Sequence, residues 1–371
     1  MKIRLWQRVS VLLVVALGLM ACVAPAGAPA GAQPAAGAQP APSTAKFKFA
    51  LVTPNPRGDH SFIDAAVRGA DKAMKELPVQ GTIIESQGVS DQESAIRSAL
   101  SQNNDLILGL AIEPDTLVSL AKEFPKQKFG APADIFVDKL PDNIAAFQIN
   151  VHESSFLVGL IAGSLTKTKT VGAVAGGDGP GLNQFVWGYK QGVLEVCKDC
   201  KVLVSYLGFD FSNPTLGKET ALGQYEQGAD IIFQVAGRSG EGVISAAAEK
   251  KLYAIGVDSN QDDVAPGNVI VSMMKRTDAT TFLLVKNTLE GNFKPGFSII
   301  GMKEGAAGLS WDDGSTTFAD KGPKELTDKL PDVKKLVDDW RKKILDGKYV
   351  VCDAVQDSVK PMDECKALKA K

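Results

Sequence analysis

The chain has 371 residues and carries 41 Lys plus Arg against 43 Asp plus Glu, with the two signs interspersed. This balance excludes the basic surface on which nucleic-acid binding depends. The chain has only two histidines and no HExxH, GxSxG or P-loop motif, so it lacks the usual parts of several enzyme classes. We expect a protein that is not an enzyme and that holds no cofactor and no metal.

The N-terminus has the pattern of an export signal. A basic stretch precedes an apolar run, residues 9–20, which is shorter than the roughly 20 residues that span a bilayer. The run ends in Leu-Met-Ala-Cys, and this sequence is typical of a bacterial lipobox, in which Cys22 becomes the lipidated first residue. The alternative is an ordinary signal peptide with an incidental Cys. We predict a signal peptide at 1–21 and a lipid anchor on the extracytoplasmic face of a bacterial cell membrane.

The next segment is predicted to be a spacer. Residues 24–44 consist almost entirely of Ala, Pro, Gly and Gln, without charge or large apolar side chains. Such a composition buries too little surface to offset the entropy of ordering, so we predict a disordered tether at 22–45. The remaining part, about 325 residues, exceeds the size at which one core normally divides into two domains.

Strands and helices alternate along this remaining part. The predicted strands lie at 47–52, 82–85, 106–111, 171–175, 202–206, 230–235, 252–257 and 269–274. The predicted helices lie at 62–77, 91–102, 115–124, 153–165, 182–195, 216–227, 242–250, 277–290 and 331–346. Continuous apolar strands joined by helices predict parallel sheets covered on both faces. Two such modules in tandem indicate a two-domain α/β protein with a cleft between its sheets.

Four cysteines follow Cys22, which fits an exported protein with disulfides. Their spacing allows three pairings, and proximity favours Cys197 with Cys200 and Cys352 with Cys365. The alternative for the first pair is a redox-active CxxC or half of a zinc site. The chain has no second CxxC, so we favour structural disulfides.

Two glycine-rich segments follow predicted strands and lead into helices. Residues 176–181 (Gly-Gly-Asp-Gly-Pro-Gly) have a composition that can cradle phosphate, but their spacing departs from GxGxxG and Pro180 is an ordinary helix-entry residue. Residues 236–242 contain three glycines, which either let the backbone approach a bound molecule or form a flexible turn.

Carboxylates and aromatic side chains follow two other strands. Asp258 lies where a desolvated carboxylate can accept hydroxyl hydrogens from a sugar or ribose, or can serve as a helix cap. Phe209 and Phe211 lie beyond the strand at 202–206, where an aromatic ring either stacks on a ligand or packs into the protein. Ligands of open α/β sheets bind beyond the carboxyl ends of strands, so these residues are candidates for binding.

Several segments resemble the basic membrane protein (BMP) family. They are residues 59–62 (Asp-His-Ser-Phe), 230–233 (Asp-Ile-Ile-Phe) with 236–237 (Ala-Gly), and 256–261 (Gly-Val-Asp-Ser-Asn-Gln). That family comprises lipoprotein substrate-binding components of ABC transporters, typified by purine nucleoside receptors of the PnrA type. The resemblance implies a type I periplasmic binding protein: two Rossmann-like lobes with parallel sheets and a hinged cleft between them. It covers most of residues 47 to 310.

The resemblance also implies a division into domains. Lobe 1 is expected to comprise 46–152 with about 262–300, and lobe 2 to comprise 153–261 with about 301–330. Residues 331–371 are expected to form a C-terminal helix and a disulfide-stapled tail.

The resemblance further implies ligand-binding residues. Phe62 and Phe211 match the pair that sandwiches a purine ring, and Asp115 matches a carboxylate that hydrogen-bonds the base. Asp258 and Lys275 match the partners of the ribose hydroxyls.

Three more residues complete the predicted site, and one departs from the family pattern. Gly237 would permit close backbone approach, and Asp59 and Ser61 belong to the first matched segment. At position 63 the family usually has Asn, which offers a donor and an acceptor, whereas Ile63 offers neither. The segment Glu-Pro-Asp at 113–115 also replaces the aromatic-rich approach that is usual before the aspartate.

These patterns predict a lipid-anchored substrate-binding protein of an ABC importer that captures a purine nucleoside by lobe closure and delivers it to permease subunits. The alternatives are another small polar ligand such as a sugar, a sensory or adhesion receptor, and, last, an exported enzyme.

Overall fold

Two mainly parallel sheets of six strands each organise the chain. The computed structural model describes residues 47–133 and 135–355. The predicted signal peptide, the predicted lipidation site Cys22, the predicted tether and Cys365 lie outside these residues, and so does the predicted pairing of Cys352 with Cys365.

The strands, in chain order, are β1 (Phe47–Thr53), β2 (Val79–Glu85), β3 (Leu106–Gly109), β4 (Lys128–Ala131), β5 (Ile144–Ile149), β6 (Thr170–Ala175), β7 (Lys201–Tyr206), β8 (Ile231–Val235), β9 (Tyr253–Asp258), β10 (Val269–Lys275), β11 (Gly296–Ile300) and β12 (Ala307–Leu309). The helices are α1 (Phe62–Glu76), α2 (Gln92–Ser101), α3 (Pro114–Glu123), α4 (Val151–Leu165), α5 (Pro180–Val196), α6 (Pro214–Glu226), α7 (Ser239–Lys250), α8 (Thr277–Leu289), α9 (Thr317–Lys321), α10 (Lys324–Thr327) and α11 (Leu330–Leu345).

Each sheet is the centre of one lobe. The first has the strand order β11-β5-β4-β3-β1-β2, and all its pairs are parallel. The second has the order β12-β10-β9-β8-β6-β7, and only β10 with β12 is antiparallel. We call the first sheet with its helices lobe 1 and the second sheet with its helices lobe 2. Both sheets confirm the predicted α/β class.

The alternation of side chains along β1 shows why its apolar run forms a central strand. Ala50 and Val52 point into one buried cluster of lobe 1, whereas Phe49 and Leu51 point into the cluster on the opposite face. All four side chains are fully buried. A strand that is covered on both faces needs an uninterrupted apolar sequence, and the chain supplies one here.

The chain crosses between the lobes after β5, after β10 and after β11. Two backbone hydrogen bonds tie these crossovers together: Asn150 N–H donates to the Ile300 carbonyl at 2.7 Å, and Arg276 N–H donates to the Ala306 carbonyl at 2.9 Å. The predicted boundary at residue 262 does not match the sheet membership. The strand β10 pairs with its predecessor β9 in the second sheet, and the chain returns to lobe 1 only with α8.

Close backbone contact joins α4 and α5 in lobe 2. A Cβ added at Gly159 would lie 2.2 Å from the Tyr189 carbonyl oxygen, and one added at Gly192 would lie 2.0 Å from the Phe156 carbonyl oxygen. Both positions therefore accept only glycine in this arrangement. Glycine lets the two helices approach until their backbones touch.

The C-terminal part packs on lobe 2. The ring centroid of Phe156 on α4 lies 5.3 Å from that of Trp340 on α11 and 5.1 Å from that of Tyr349. At the end of α5, Cys197 and Cys200 form a disulfide with a Cα–Cα distance of 5.3 Å, which confirms that predicted pairing. Their sulfur atoms are bonded to each other, so they are not zinc ligands.

Candidate functional site

The segment after β1 carries the lobe 1 side of the site, and Asp59 holds it in shape. The Asp59 carboxylate accepts backbone N–H groups of Ser61, Ile63 and Asp64 at 3.0, 2.8 and 3.0 Å. These bonds satisfy donors at the start of α1 that have no partner inside the helix. Burial raises the pKa of Asp59, and the three amide hydrogen bonds oppose that rise. Its carboxylate thus positions the residues that follow it.

Ser61 and Asp258 meet where the two lobes touch. The Ser61 hydroxyl donates to Asp258 Oδ2 at 2.7 Å, and the Ser259 hydroxyl donates to the Ser61 carbonyl at 2.9 Å. Arg68 Nη2 on α1 donates to Ser259 Oγ at 2.7 Å. Asp258 has a φ of 63°, a left-handed conformation that is uncommon outside glycine and that turns the chain at the end of β9. Strained residues of this kind concentrate at binding sites.

Lys275 brings two aromatic rings together at the end of β10. Its ammonium nitrogen lies 4.8 Å from the ring centroid of Phe62 and 5.5 Å from that of Phe185. Only 3% of Lys275 is exposed, so both cation–π contacts act where water is largely excluded. Phe62 packs against apolar clusters of both lobes. The predicted residues Phe62 and Lys275 are therefore neighbours, and Phe185 on α5 is an addition that the predicted site did not contain.

Phe211 and Gly237 are also neighbours, in lobe 2. A Cβ added at Gly237 would lie 3.6 Å from Phe211 Cβ, and Gly237 has a φ of 54°. The Phe211 ring also lies against Gly176, where an added Cβ would be 2.1 Å from Cε1. The Phe211 carbonyl accepts the Ser239 N–H at 3.1 Å, which fixes the backbone beneath the ring.

The glycine-rich segment at 176–181 supports aromatic rings. A Cβ added at Gly177 would lie 2.5 Å from Phe209 Cδ1, and one added at Gly181 would lie 2.5 Å from Phe136 Cε2. The Phe209 side chain is among the most exposed large apolar side chains, with 60% of the residue accessible. Helix α5 begins at Pro180, in agreement with the interpretation of this segment as a strand-to-helix turn.

Two residues named from the sequence lie apart from these contacts. Asp115 is exposed in the first turn of α3, just beyond β3, the strand beside β1. Ile63, the departure from the family pattern, is buried in the apolar cluster of lobe 1 that contains Leu51 and Ala66. Position 63 therefore contributes to the core of lobe 1.

A further polar contact spans the lobes at the rim. His60 Nδ1 lies 2.7 Å from Glu241 Oε1 in the first turn of α7, and the Gln261 amide donates to the His60 carbonyl at 3.4 Å. Together with the bonds of Ser61 and Ser259, these contacts form a seam of hydrogen bonds between the lobes. Within residues 47–133 and 135–355, no cluster of three or more acidic, His or Cys side chains could hold a metal ion.

A family model described as ABC transporter substrate-binding protein PnrA-like (Bmp) matches residues 46–353. The chain belongs to this family. Basic membrane protein D of Borreliella burgdorferi is 33% identical over 258 residues, which cover 68% of this chain and 75% of that protein. An uncharacterized lipoprotein of Pyrococcus abyssi is 32% identical over 320 residues, covering 81% of this chain and 78% of that protein.

Among solved structures, an ABC transporter solute-binding protein from Aeropyrum pernix K1 superimposes with a TM-score of 0.74 and 27% identity. The match covers 86% of this chain and 98% of that one. It confirms the type I periplasmic binding protein fold. This Bmp protein is thus a substrate-binding protein of the ABC transporter class, whose members are extracytoplasmic and bind small-molecule ligands and permease components. In the part of the chain that the structure describes, no helix has the length and apolarity to cross a membrane.

Proposed function

We propose that this protein is a lipid-anchored receptor that captures a purine nucleoside between its lobes for import. The observation that carries the proposal is the pair of aromatic platforms at the strand ends. Phe62 lies against Lys275, and Phe211 lies against the Gly176 and Gly237 backbone. A planar base presents two faces, and stacking of a base on an aromatic side chain contributes about 1–3 kcal/mol.

The ribose has a matching partner in Asp258. Its Oδ2 accepts the Ser61 hydroxyl at 2.7 Å, so the carboxylate is placed to accept a hydroxyl group where the two lobes meet. Hydrogen bonds to an ionised acceptor are stronger than neutral ones. We expect a ribose hydroxyl to replace or join Ser61, with Lys275 as a second partner. Contacts with both lobes would then favour the closed arrangement.

The test is calorimetric titration and thermal unfolding of the purified protein with inosine, guanosine, adenosine, free bases and sugars. A ligand at 100 times its Kd adds about 2.7 kcal/mol to the free energy of unfolding. Binding of nucleosides but not of sugars supports the proposal. Binding of a sugar alone would replace it with the second candidate, which the hydroxyl-binding geometry of Asp258 favours. If Asp258 binds the ribose, 2′,3′-dideoxyinosine binds far more weakly than inosine.

The lipid anchor is tested separately, in the native host. We expect the wild-type protein to fractionate with membranes and to incorporate labelled fatty acid, and the Cys22→Ser variant to lose the label. Equal labelling of both proteins would contradict a lipid on Cys22. Loss of transport in a strain without the permease subunits would distinguish an importer from a sensory or adhesion receptor.

A further inference from the structure

The chain between β4 and β5 bridges the two lobes. Ile135 and Leu140 are buried in an apolar cluster of lobe 1, where they hold this connection to its own sheet. Ala133 is fully buried in the cluster that contains α4, α5 and the second sheet. One short connection is thus anchored in lobe 1 and reaches into lobe 2.

Phe136, next to the anchor Ile135, makes a second contact with lobe 2. Its ring edge lies on Gly181 in the first turn of α5, where an added Cβ would be 2.5 Å from Cε2 and 2.8 Å from Cζ. Phe136 is half-buried, so part of it remains accessible to solvent. A side chain at position 181 would displace this ring, because Cβ contacts below 3.0 Å do not occur.

The Phe211 ring, which is proposed to stack on the base, lies on the same glycine-rich segment, residues 176–181. Phe211 lies on Gly176 and Phe209 on Gly177, and both rings belong to lobe 2. Phe136 is the ring on this segment that comes from lobe 1, and it can rest on Gly181 only while the lobes are together. Its contact therefore depends on closure, whereas the other two do not.

We propose that Phe136 closes the cleft over a bound planar ring and slows the release of that ligand. In the closed arrangement the Phe136 ring packs on Gly181. This inference rests on the proposed nucleoside function, because an aromatic side chain that closes over the ligand favours ligands that contain a flat heteroaromatic ring. Binding from the open state precedes the contact, so the association rate is set elsewhere. Phe136 acts on the dissociation rate.

The test measures the release of tritiated inosine from the protein after a chase with excess unlabelled inosine. We expect release about tenfold faster in Phe136→Ala, with association changed less than twofold, since loss of one aromatic contact is of this order. Phe136→Tyr keeps the ring and should release inosine at the wild-type rate. Release from Phe136→Ala within twofold of wild type overturns the proposal.

Gly181→Ala tests the packing of the Phe136 ring on Gly181. We expect it to release inosine as fast as Phe136→Ala does, and the double variant to be no faster than either single one, because both changes remove the same contact. Gly179→Ala is the matched control: its Cβ would lie 3.5 Å from the nearest ring atom, an ordinary contact, and release should not change. Additive effects of Phe136→Ala and Gly181→Ala would show that Phe136 does not act through its packing on Gly181.

A second readout separates this proposal from the nucleoside function. Failure of the wild-type protein to bind inosine would reject the proposed ligand. In that case hydrogen exchange is measured in the presence of the free base or sugar that does bind in the titrations, because the contact forms only when a ligand closes the lobes. Amides in the first turn of α5 should exchange faster in Phe136→Ala and Gly181→Ala than in wild type and Gly179→Ala. Equal exchange rates of these amides in all four proteins would overturn the proposal that Phe136 closes the cleft.

Discussion

Gly176 places the Phe211 ring by having no side chain. A Cβ at this position would lie 2.1 Å from Cε1 of the ring, and the Phe211 backbone is fixed by its bond to Ser239 N–H, so the ring itself has to move. We expect Gly176→Ala to weaken inosine binding by about 1–3 kcal/mol, the range found for loss of one base–aromatic stack. Isothermal titration measures the change.

The control for this substitution is Gly223→Ala, because no atom lies within 4 Å of an added Cβ there. Its inosine affinity should equal that of wild type. Equal affinity in Gly176→Ala as well would show that the Phe211 ring does not depend on Gly176 for its position, or does not touch the ligand.

For the residues at strand ends, the sequence alone did not distinguish a ligand-binding role from a structural one. The family resemblance was needed to assign the binding role. That resemblance named Phe62, Phe211, Gly237, Asp258 and Lys275, and the structure brings Phe62 to Lys275 and Phe211 to Gly237. It did not name Phe136, which meets Gly181 across 45 positions of sequence in a contact that no local pattern reveals. Asp59 was named as a ligand residue, which stays a prediction; its three hydrogen bonds from backbone N–H groups at the start of α1 were not foreseen.

At the scale of elements, the contact between α4 and α5 leaves no room for a methyl group. We expect Gly192→Ala to lower the free energy of unfolding by about 3 kcal/mol, because its Cβ would lie 2.0 Å from the Phe156 carbonyl oxygen and the backbones must separate. Chemical denaturation measures the loss. Gly223→Ala, in α6 and in open space, should instead add up to about 1 kcal/mol through helix propensity. A tolerated Gly192→Ala would contradict the tight packing.

The long helices follow from periodicity, whereas four of the strands do not. The pattern predicted α1, α5 and α11 to within a few residues, because each repeats apolar positions over several turns. It missed β4, β5, β11 and β12. β4 has four residues and contains Gly130, and β12 has three, so their strand character comes from pairing with neighbours rather than from composition.

At the scale of the whole molecule, the crossovers are the covalent links between the lobes, and Glu153 lies among them. It is in the first turn of α4, and it accepts a backbone hydrogen bond from Met302, which lies between β11 and β12. A Cβ added at Gly301 would lie 3.2 Å from Glu153 Oε2. Glu153 therefore links the crossover after β5 to the crossover after β11.

Burial raises the pKa of Glu153 above its ordinary value of 4.5, and the nearby carboxylates of Glu304 and Asp353 add to the rise, while the Met302 amide opposes it. The folded protein thus holds this proton more tightly than the unfolded chain does. The stability that this difference provides is fully present below about pH 4.5 and is lost as the pH rises through the raised pKa.

Glu153→Gln should remove this dependence. Gln keeps the oxygen that accepts the Met302 N–H but has no charge to desolvate, so the variant should gain stability relative to wild type as the pH rises from 4 to 8. Denaturation of both proteins across this range measures the difference. A difference in the free energy of unfolding that stays constant with pH would mean that Glu153 ionises in the folded protein as readily as in the unfolded chain. Burial of the Glu153 charge between the two crossovers would then not destabilise the protein.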